Sequence, residues 1–421
     1  MKSILIITPF LPYPIRSGGE QAQFNMIDRL RQVYRISIVF PLNKDNHETD
    51  TVALSVMWPE VALHPFPLRD QMLHLPFLVR KGWRYLNRRL NPFRGCAAVV
   101  QVLSSTDFLL SDRYKLFLET VIGRESPDVI QVEFLSNLNV AELLPAGIPK
   151  IFIHHEIGFV MTERTLRNIA LSPRLQRRMA ERKATEVERL NRYDAVVTLT
   201  GTDCDLLHKA GVHKPIHVSP AAVNTVLQEY DGWNGTILFI GGYHHRPNQE
   251  GIDWFLQRVA PLIPWSAYPQ TELRIVGMSW PQSYEGDHGG LRVRLLGYVD
   301  NLAASASRCI MMVPLLAGSG MRMKILDAAA LSLPIVTTSV GAEGLCFRAG
   351  ESCLIGDGAE GFAMQLRRML DDGRLRETVG RKAHEVYLQH YSVERLVAVR
   401  RRIYESVMQQ GNAPGGYPSI C

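Results

Sequence analysis

Residues 313–345 read VPLLAGSGMRMKILDAAALSLPIVTTSVGAEGL. An apolar run enters Ala-Gly-Ser-Gly, meets Arg322 and Lys324, continues at helical spacing past Asp327, and ends in a second β-branched run. Strand, glycine turn, helix and strand in close succession form the repeating unit of a parallel sheet, because parallel neighbours need a crossover and a helix usually supplies it. The same alternation recurs along the chain. In the first half the strand-like runs are SILIIT (3–8), RISIVF (35–40), DVIQVEF (128–134), KIFIHH (150–155) and DAVVTLT (194–200). In the second they are GTILFIGG (235–242), ELRIVG (272–277), RVRLLGYV (292–299), CIMMVPL (309–315) and LPIVTTS (333–339). Near-continuous apolar strands separated by helices indicate sheets covered on both faces. Two such series predict an α/β protein of two Rossmann-like, doubly wound domains.

The length of 421 residues agrees, since a single core stops growing well below that size. Proline and glycine punctuate residues 211–235, so the first domain is placed at 1–215 and the second at 216–390. Residues 391–409 read as an amphipathic helix, and 410–421 as a flexible tail.

Hydrophobic residues at 46% and charged residues at 21% suit a globular enzyme and exclude disordered or collagen-like classes. Six scattered cysteines without a C-x-x-C pair read as reduced thiols of a cytoplasmic protein. The N-terminal apolar run is too short for a signal core, and no run approaches the roughly 18–20 residues that span a bilayer. The net charge of +6 matters less than its placement. Arg80, Lys81, Arg84, Arg88, Arg89 and Arg94 interleave with Trp83, Tyr85, Leu86 and Leu90. Such a segment suits the anionic inner face of a cell membrane, and otherwise forms a solvated helix face. No nucleic-acid-binding motif occurs, so nucleic acid is not an expected partner.

Doubly wound sheets bind ligands beyond the carboxyl ends of their strands, so the loops there are the expected ligand sites. After the first strand, Gly18-Gly19 opens a helical pattern, which either lets backbone N–H groups approach an anion or makes a tight turn. It lacks the G-x-G-x-x-G spacing of dinucleotide binding. In KIFIHHE, adjacent side chains point to opposite faces, which argues against zinc and leaves one histidine, taken as His155, for the ligand side. A structural hydrogen-bonding role for His155 is the alternative. Gly241-Gly242 ends another strand ahead of Arg246, either a phosphate clamp or an exposed loop arginine. In the opening stretch, Arg322 and Lys324 sit in the first turn of a helix, where cations oppose the dipole unless an anion binds. Two cations and a free helix N-terminus suit two phosphates, and Asp327 two turns on suits the hydroxyls of a ribose. A nucleoside diphosphate fits all three residues.

At these residues the chain resembles the GT-B glycosyltransferases, specifically the retaining family 4 enzymes (group 1 glycosyl transferases). The segment GSGMRMKILDAAALSLPIVTTSVGAEGL carries the most specific likeness, and GGYHHRPNQEGIDWFLQRVAPLI, LRVRLLGYVDNLAASASRCIMMVPL and SPDVIQVEF match further patterns in order. The resemblance implies two domains facing across a cleft, with the last helix crossing back to the first. It implies a nucleotide-sugar donor held by the second domain and a lipid-linked or polysaccharide acceptor held by the first, in bacterial envelope or exopolysaccharide synthesis. Gly18 and Gly19 would approach the diphosphate or the acceptor, and His155 would lie near the donor sugar. Arg246, Arg322 and Lys324 would neutralise the diphosphate beside Gly242, Gly318, Ser319 and Gly320, and Asp327 would bind the ribose. Tyr298 and Val299 would flank the base. Neither a cofactor nor a metal is implied, and no D-x-D stands in a strand-end loop.

Departures from the family pattern are visible. Its two glutamates eight positions apart are here Ser319 and Asp327, Ser332 replaces a common glycine, and only Arg246 represents a basic pair. Ser319 and Asp327 motivate a second reading, a transfer-inactive, nucleotide-binding subunit of glycosyltransferase descent. A nucleotide-sugar epimerase is a third.

Overall fold

The computed structural model describes residues 1–42, 48–67, 110–166, 169–223, 230, 232–299, 301–318 and 320–409. The chain divides into two compact units. The first contains Met1–Pro14, Met26–Ser219 and the last helix from Val397, and the second contains Ile15–Asn25 and Pro220–Leu396. The basic segment Arg80–Arg94, Ser319 and the tail 410–421 lie outside the described residues.

In the first unit a seven-stranded sheet runs β3-β2-β1-β4-β5-β6-β7. Its strands are β1 (Ser3–Ile7), β2 (Arg35–Leu42), β3 (Ala62–Pro67), β4 (Val129–Glu133), β5 (Lys150–His154), β6 (Ala195–Thr198) and β7 (Ile216–Val218), all parallel. β1 and β4 are buried along their whole length because helices cover both faces. These helices are the part of α1 (Gly18–Leu30) from Met26 onward, α2 (Glu48–Met57), α3 (Asp112–Glu125), α4 (Gly158–Leu166), α5 (Pro173–Leu190) and α6 (Gly201–Ala210). Leu5, Ile130, Phe152 and Val196 on the strands pack with Leu118 and Leu190 on the helices.

The second unit repeats the plan in the order β10-β11-β9-β8-β12-β13-β14. The strands are β8 (Thr236–Ile240), β9 (Glu272–Val276), β10 (Gly286–His288), β11 (Leu291–Gly297), β12 (Ile310–Val313), β13 (Ile335–Thr337) and β14 (Leu354–Ile355). Among these described strands only the β10–β11 pair is antiparallel. The helices are α7 (Arg246–Trp254), α8 (Leu302–Ala306), α9 (Met323–Ala330), α10 (Ser339–Ala342), α11 (Gly358–Asp371) and α12 (Gly373–His390). Phe239, Ile275, Ile310 and Val336 form a core with Ile252, Phe255 and Phe362. All ten strand runs read from the sequence are strands. β3, β7, β10 and β14 were not read; β7, β10 and β14 are three residues or fewer, too short for a pattern, and prolines interrupt β3.

The last helix, α13 (Val393–Gln409), divides between the units at Val397. In the first unit its Arg400 Nε donates to Ser219 Oγ at 3.2 Å, and its Tyr404 ring meets Tyr34 edge-on at 5.4 Å. Cys204, Cys309 and Cys353 are free thiols, whereas Cys346 is disulfide-bonded, which corrects the reading of six reduced cysteines. Spacing along a chain does not reveal which cysteines the fold brings together. Among the described residues no helix is long and apolar enough to cross a membrane.

Helix α9 ends in a paired return to its own carbonyls. Leu333 N–H donates to Ala328 O at 2.9 Å and Ser332 N–H to Ala329 O at 3.1 Å, a Schellman ending. This ending puts Ser332 at φ 56°, a left-handed backbone that glycine adopts without steric cost. Ser332→Gly is therefore expected to stabilise the protein by up to about 1 kcal/mol, read as a rise in Tm. A fall in Tm would show that the serine side chain contributes more than the backbone strain costs.

Candidate functional site

Among the parallel strands of each sheet the order reverses once, between β8 and β12 in the second unit and between β1 and β4 in the first. Loops leaving strands on either side of a reversal diverge and open a crevice, where doubly wound folds bind ligands. Most of the candidate residues gather at or beside these two places, whereas Tyr298 and Val299 follow β11, two strands from the reversal.

At the reversal of the second sheet, β8 runs into Gly241-Gly242. Gly241 has φ 154°, and a Cβ there would stand 2.4 Å from Asn248 Nδ2, so only glycine lets the amide of Asn248 fill that space. Asn248 is buried on the first turn of α7. Its Nδ2 donates to Gly242 O at 3.0 Å, and its Oδ1 accepts from Lys324 Nζ at 2.6 Å. The Lys324 ammonium also lies 4.4 Å from the centroid of the Phe239 ring, on β8. One amide and one aromatic face, both neutral, thus hold the lysine of the β12 side against the β8 side.

Arg322 caps α9 and is buried. Its Nη1 donates to Gly320 O, and its Nη2 lies 3.9 Å from Glu343 Oε2. Gly318 and Gly320 take φ 137° and 73°, which turns β12 sharply into the helix. Asp327, buried one turn further along α9, accepts from Gln21 Nε2 at 2.7 Å. Gln21 follows Gly18-Gly19 on α1, in the segment Ile15–Asn25 that packs with the second unit. A Cβ on Gly18 would stand 3.1 Å from Met323 Cγ, so a glycine at this position eases the close approach to α9.

Burial sets the electrostatics here. It pushes the Lys324 pKa down to about 7, helped by the nearby Arg322 charge and opposed by Asp327. It pushes Asp327 up to about 7, opposed by the Gln21 hydrogen bond and by Lys324. Displaced pKa values on neighbouring groups at a strand-end crevice are a mark of function.

Arg246 starts α7, half-exposed, with Nε donating to Glu250 Oε1 at 2.6 Å. Tyr298 and Val299 follow β11, Tyr298 exposed and Val299 half-buried. At the first unit's reversal, Phe134 after β4 stacks on His155 after β5, with ring centroids 3.9 Å apart and planes within 5°. Phe10, from the loop after β1, packs on Phe134 at 4.5 Å. His155 Nε2 meets Glu133 Oε2 at 2.8 Å. Its neighbour His154 points the other way, to Glu186 Oε1 at 3.1 Å, which also accepts from the N–H of Gly158 at the start of α4. Among the described residues no group of three or more His, Cys, Asp and Glu is arranged to hold a metal ion.

Lys324, Arg322, Asp327, Gly18, Gly242, Gly318 and Gly320 therefore come together at or beside one strand-end crevice, while His155 stands at the other sheet's reversal. Asn248, Gln21, Glu133 and Phe134 were not read as site residues. Glu133 left a signal: Gln131 and Glu133 are polar residues two apart on an otherwise apolar buried strand. Gln21 left none, because its partner lies 306 positions away.

Two doubly wound units with polar side chains at their strand ends make this an α/β protein of the GT-B architecture. Residues 234–372, within the second unit, match the family described as glycosyl transferases group 1. Sucrose-phosphate synthase of Thermosynechococcus elongatus shares the fold with a TM-score of 0.68 at 15% identity, over 97% of this chain and 99% of that one. Anabaena HepE, solved in complex with UDP and glucose, gives 0.64 at 13% identity, over 97% and 100%. Among curated proteins, an uncharacterized 44.6 kDa protein in the cps region of Klebsiella pneumoniae is 27% identical over 187 residues, 41% of this chain. That match spans about half of the relative's length, 46%.

If Asn248 holds the glycine turn and the lysine, Asn248→Ala should cost about 1–3 kcal/mol, seen as a lower Tm. An unchanged Tm would mean that the turn is held by backbone alone.

Proposed function

We propose that the protein is a retaining glycosyltransferase that moves a sugar from a nucleotide-sugar donor to a lipid-linked or polysaccharide acceptor in bacterial envelope or exopolysaccharide synthesis. The observation that carries this reading is the placement of Lys324 and Arg322 at the α9 N-terminus with neutral partners holding the ammonium. Cations there oppose the helix dipole, and a diphosphate would remove that cost. They would also stabilise the leaving diphosphate as the glycosidic bond breaks, the task a divalent ion performs elsewhere. Asp327 is assigned to the ribose, in exchange for its hydrogen bond with Gln21. Tyr298 and Val299 are assigned to the base, Arg246 to the outer phosphate, and His155 to a sugar hydroxyl. The match over residues 234–372 and the UDP in the HepE complex support a nucleotide-sugar donor. The cps-region relative supports a polysaccharide context.

Thermal stability against a panel of nucleoside diphosphates and nucleotide sugars tests the donor. Ligand at about 100 times its Kd should add roughly 2.7 kcal/mol, and silence across the panel would sink the donor assignment. Lys324→Ala should abolish transfer in a protein that still melts cooperatively, and full activity in that variant would overturn the site.

The pH dependence follows from the two displaced groups. Lys324 loses its proton, and its attraction for diphosphate, as pH rises through about 7. Asp327 gains a proton, and stops accepting from ribose hydroxyls, as pH falls through about 7. Affinity for a nucleotide sugar, titrated calorimetrically, should peak near neutral pH and fall by up to about tenfold per unit on either side. Lys324→Arg should flatten the alkaline side, and a wild-type affinity constant from pH 6 to 9 would contradict the assignment.

A further inference from the structure

The strand β4 places two polar side chains, Gln131 and Glu133, inside an otherwise apolar sheet, at 1% and 3% exposure. Buried polar groups at this depth are costly unless every one is partnered, so their partners carry information. Gln131 Oε1 accepts from Tyr404 Oη at 2.5 Å and lies 3.5 Å from Arg400 Nη1. A guanidinium only donates, so the atom facing it must be the amide oxygen, and the amide nitrogen must face the other way. That nitrogen donates to Glu133 Oε1. Glu133 is left to accept at Oε2, where His155 Nε2 stands at 2.8 Å.

The polarity of the chain is therefore determined from end to end. Donors on the last helix turn Gln131, Gln131 turns Glu133 into an acceptor, and Glu133 requires a proton on His155 Nε2. In a neutral imidazole the other nitrogen, Nδ1, is then an acceptor. The ring plane is set separately by the Phe134 stack, and Phe134 is held at φ 67°, a backbone conformation that a bulky residue adopts only when its surroundings impose it. All these groups belong to the first unit.

We propose that Glu133 is a positioning residue for His155, and that Tyr404 and Arg400 of α13 act through Gln131 to select the Nε2–H tautomer. The bare Nδ1 is then presented at the strand end as a hydrogen-bond acceptor for a sugar hydroxyl. This inference rests on the glycosyltransferase reading for the identity of the hydroxyl, but the tautomer does not depend on it. The last helix becomes a working part of the site, where the sequence suggested only a crossing element.

The test uses the full-length protein labelled with ¹⁵N-histidine, with the His155 ring signals assigned by their loss in His155→Asn. Two-bond proton–nitrogen spectra should show Nε2 protonated and Nδ1 bare. The near-isosteric Glu133→Gln can donate as well as accept, and should mix or invert the tautomers. Tyr404→Phe, which leaves the carboxylate in place and frees Gln131 to turn, should shift the same signals part of the way. In transfer assays Glu133→Gln should lower kcat by about 10- to 100-fold with donor KM within about twofold. A wild-type His155 protonated on Nδ1, or a pattern unmoved by both variants, overturns the proposal. A tautomer that responds while turnover stays at the wild-type level upholds the positioning role and removes His155 from the transfer reaction.

Discussion

The hydrogen bond from Lys324 Nζ to Asn248 Oδ1 joins the two sides of the second sheet's reversal, and the candidate site depends on it. Strands β8 and β12 lie side by side, yet their following loops lead to helices on opposite faces of the sheet. Without a tie the ammonium would extend into solvent, as lysines ordinarily do. Asn248 spends one amide face on the Gly241-Gly242 turn and the other on the lysine, so a single buried side chain orders both loops. Gly241 is obligatory for the same reason, since any side chain there would displace the amide.

The first unit solves a different problem with similar means. A parallel strand covered on both faces has no place for an unpaired carboxylate, yet β4 carries Glu133. The solution is a row of partners that begins on α13 and ends at His155, so a cost in burial becomes a directional constraint on an imidazole. Networks of this kind are high-stakes, rigid when complete and destabilising when broken. They also give a helix distant in sequence influence over a strand-end side chain.

The architecture shared with sucrose-phosphate synthase and HepE at 15% and 13% identity illustrates how little of a GT-B fold depends on particular residues. Function is carried by what stands at the strand ends. Asp327 is a case in point. Its carboxylate is buried and takes its hydrogen bond from Gln21, on the helix that Gly18-Gly19 opens. The buried acid and Gly18, separate features in the sequence, are two parts of one arrangement.

By itself the sequence determined the sheets and the places to search. Runs such as SILII and IMMV read as strands buried on both faces, and the glycines of VPLLAGSG with the two cations that follow mark a helix start. These are local properties, legible because side-chain periodicity and turn chemistry act over a few residues. The tertiary structure alone decided which side chains hold the site. Asn248 reaches Lys324 across 76 positions, Gln21 reaches Asp327 across 306, and Tyr404 reaches Gln131 across 273. Such pairs leave no trace in spacing, because burial obliges every polar group to find a partner while folding, and not chain order, decides which partner is near.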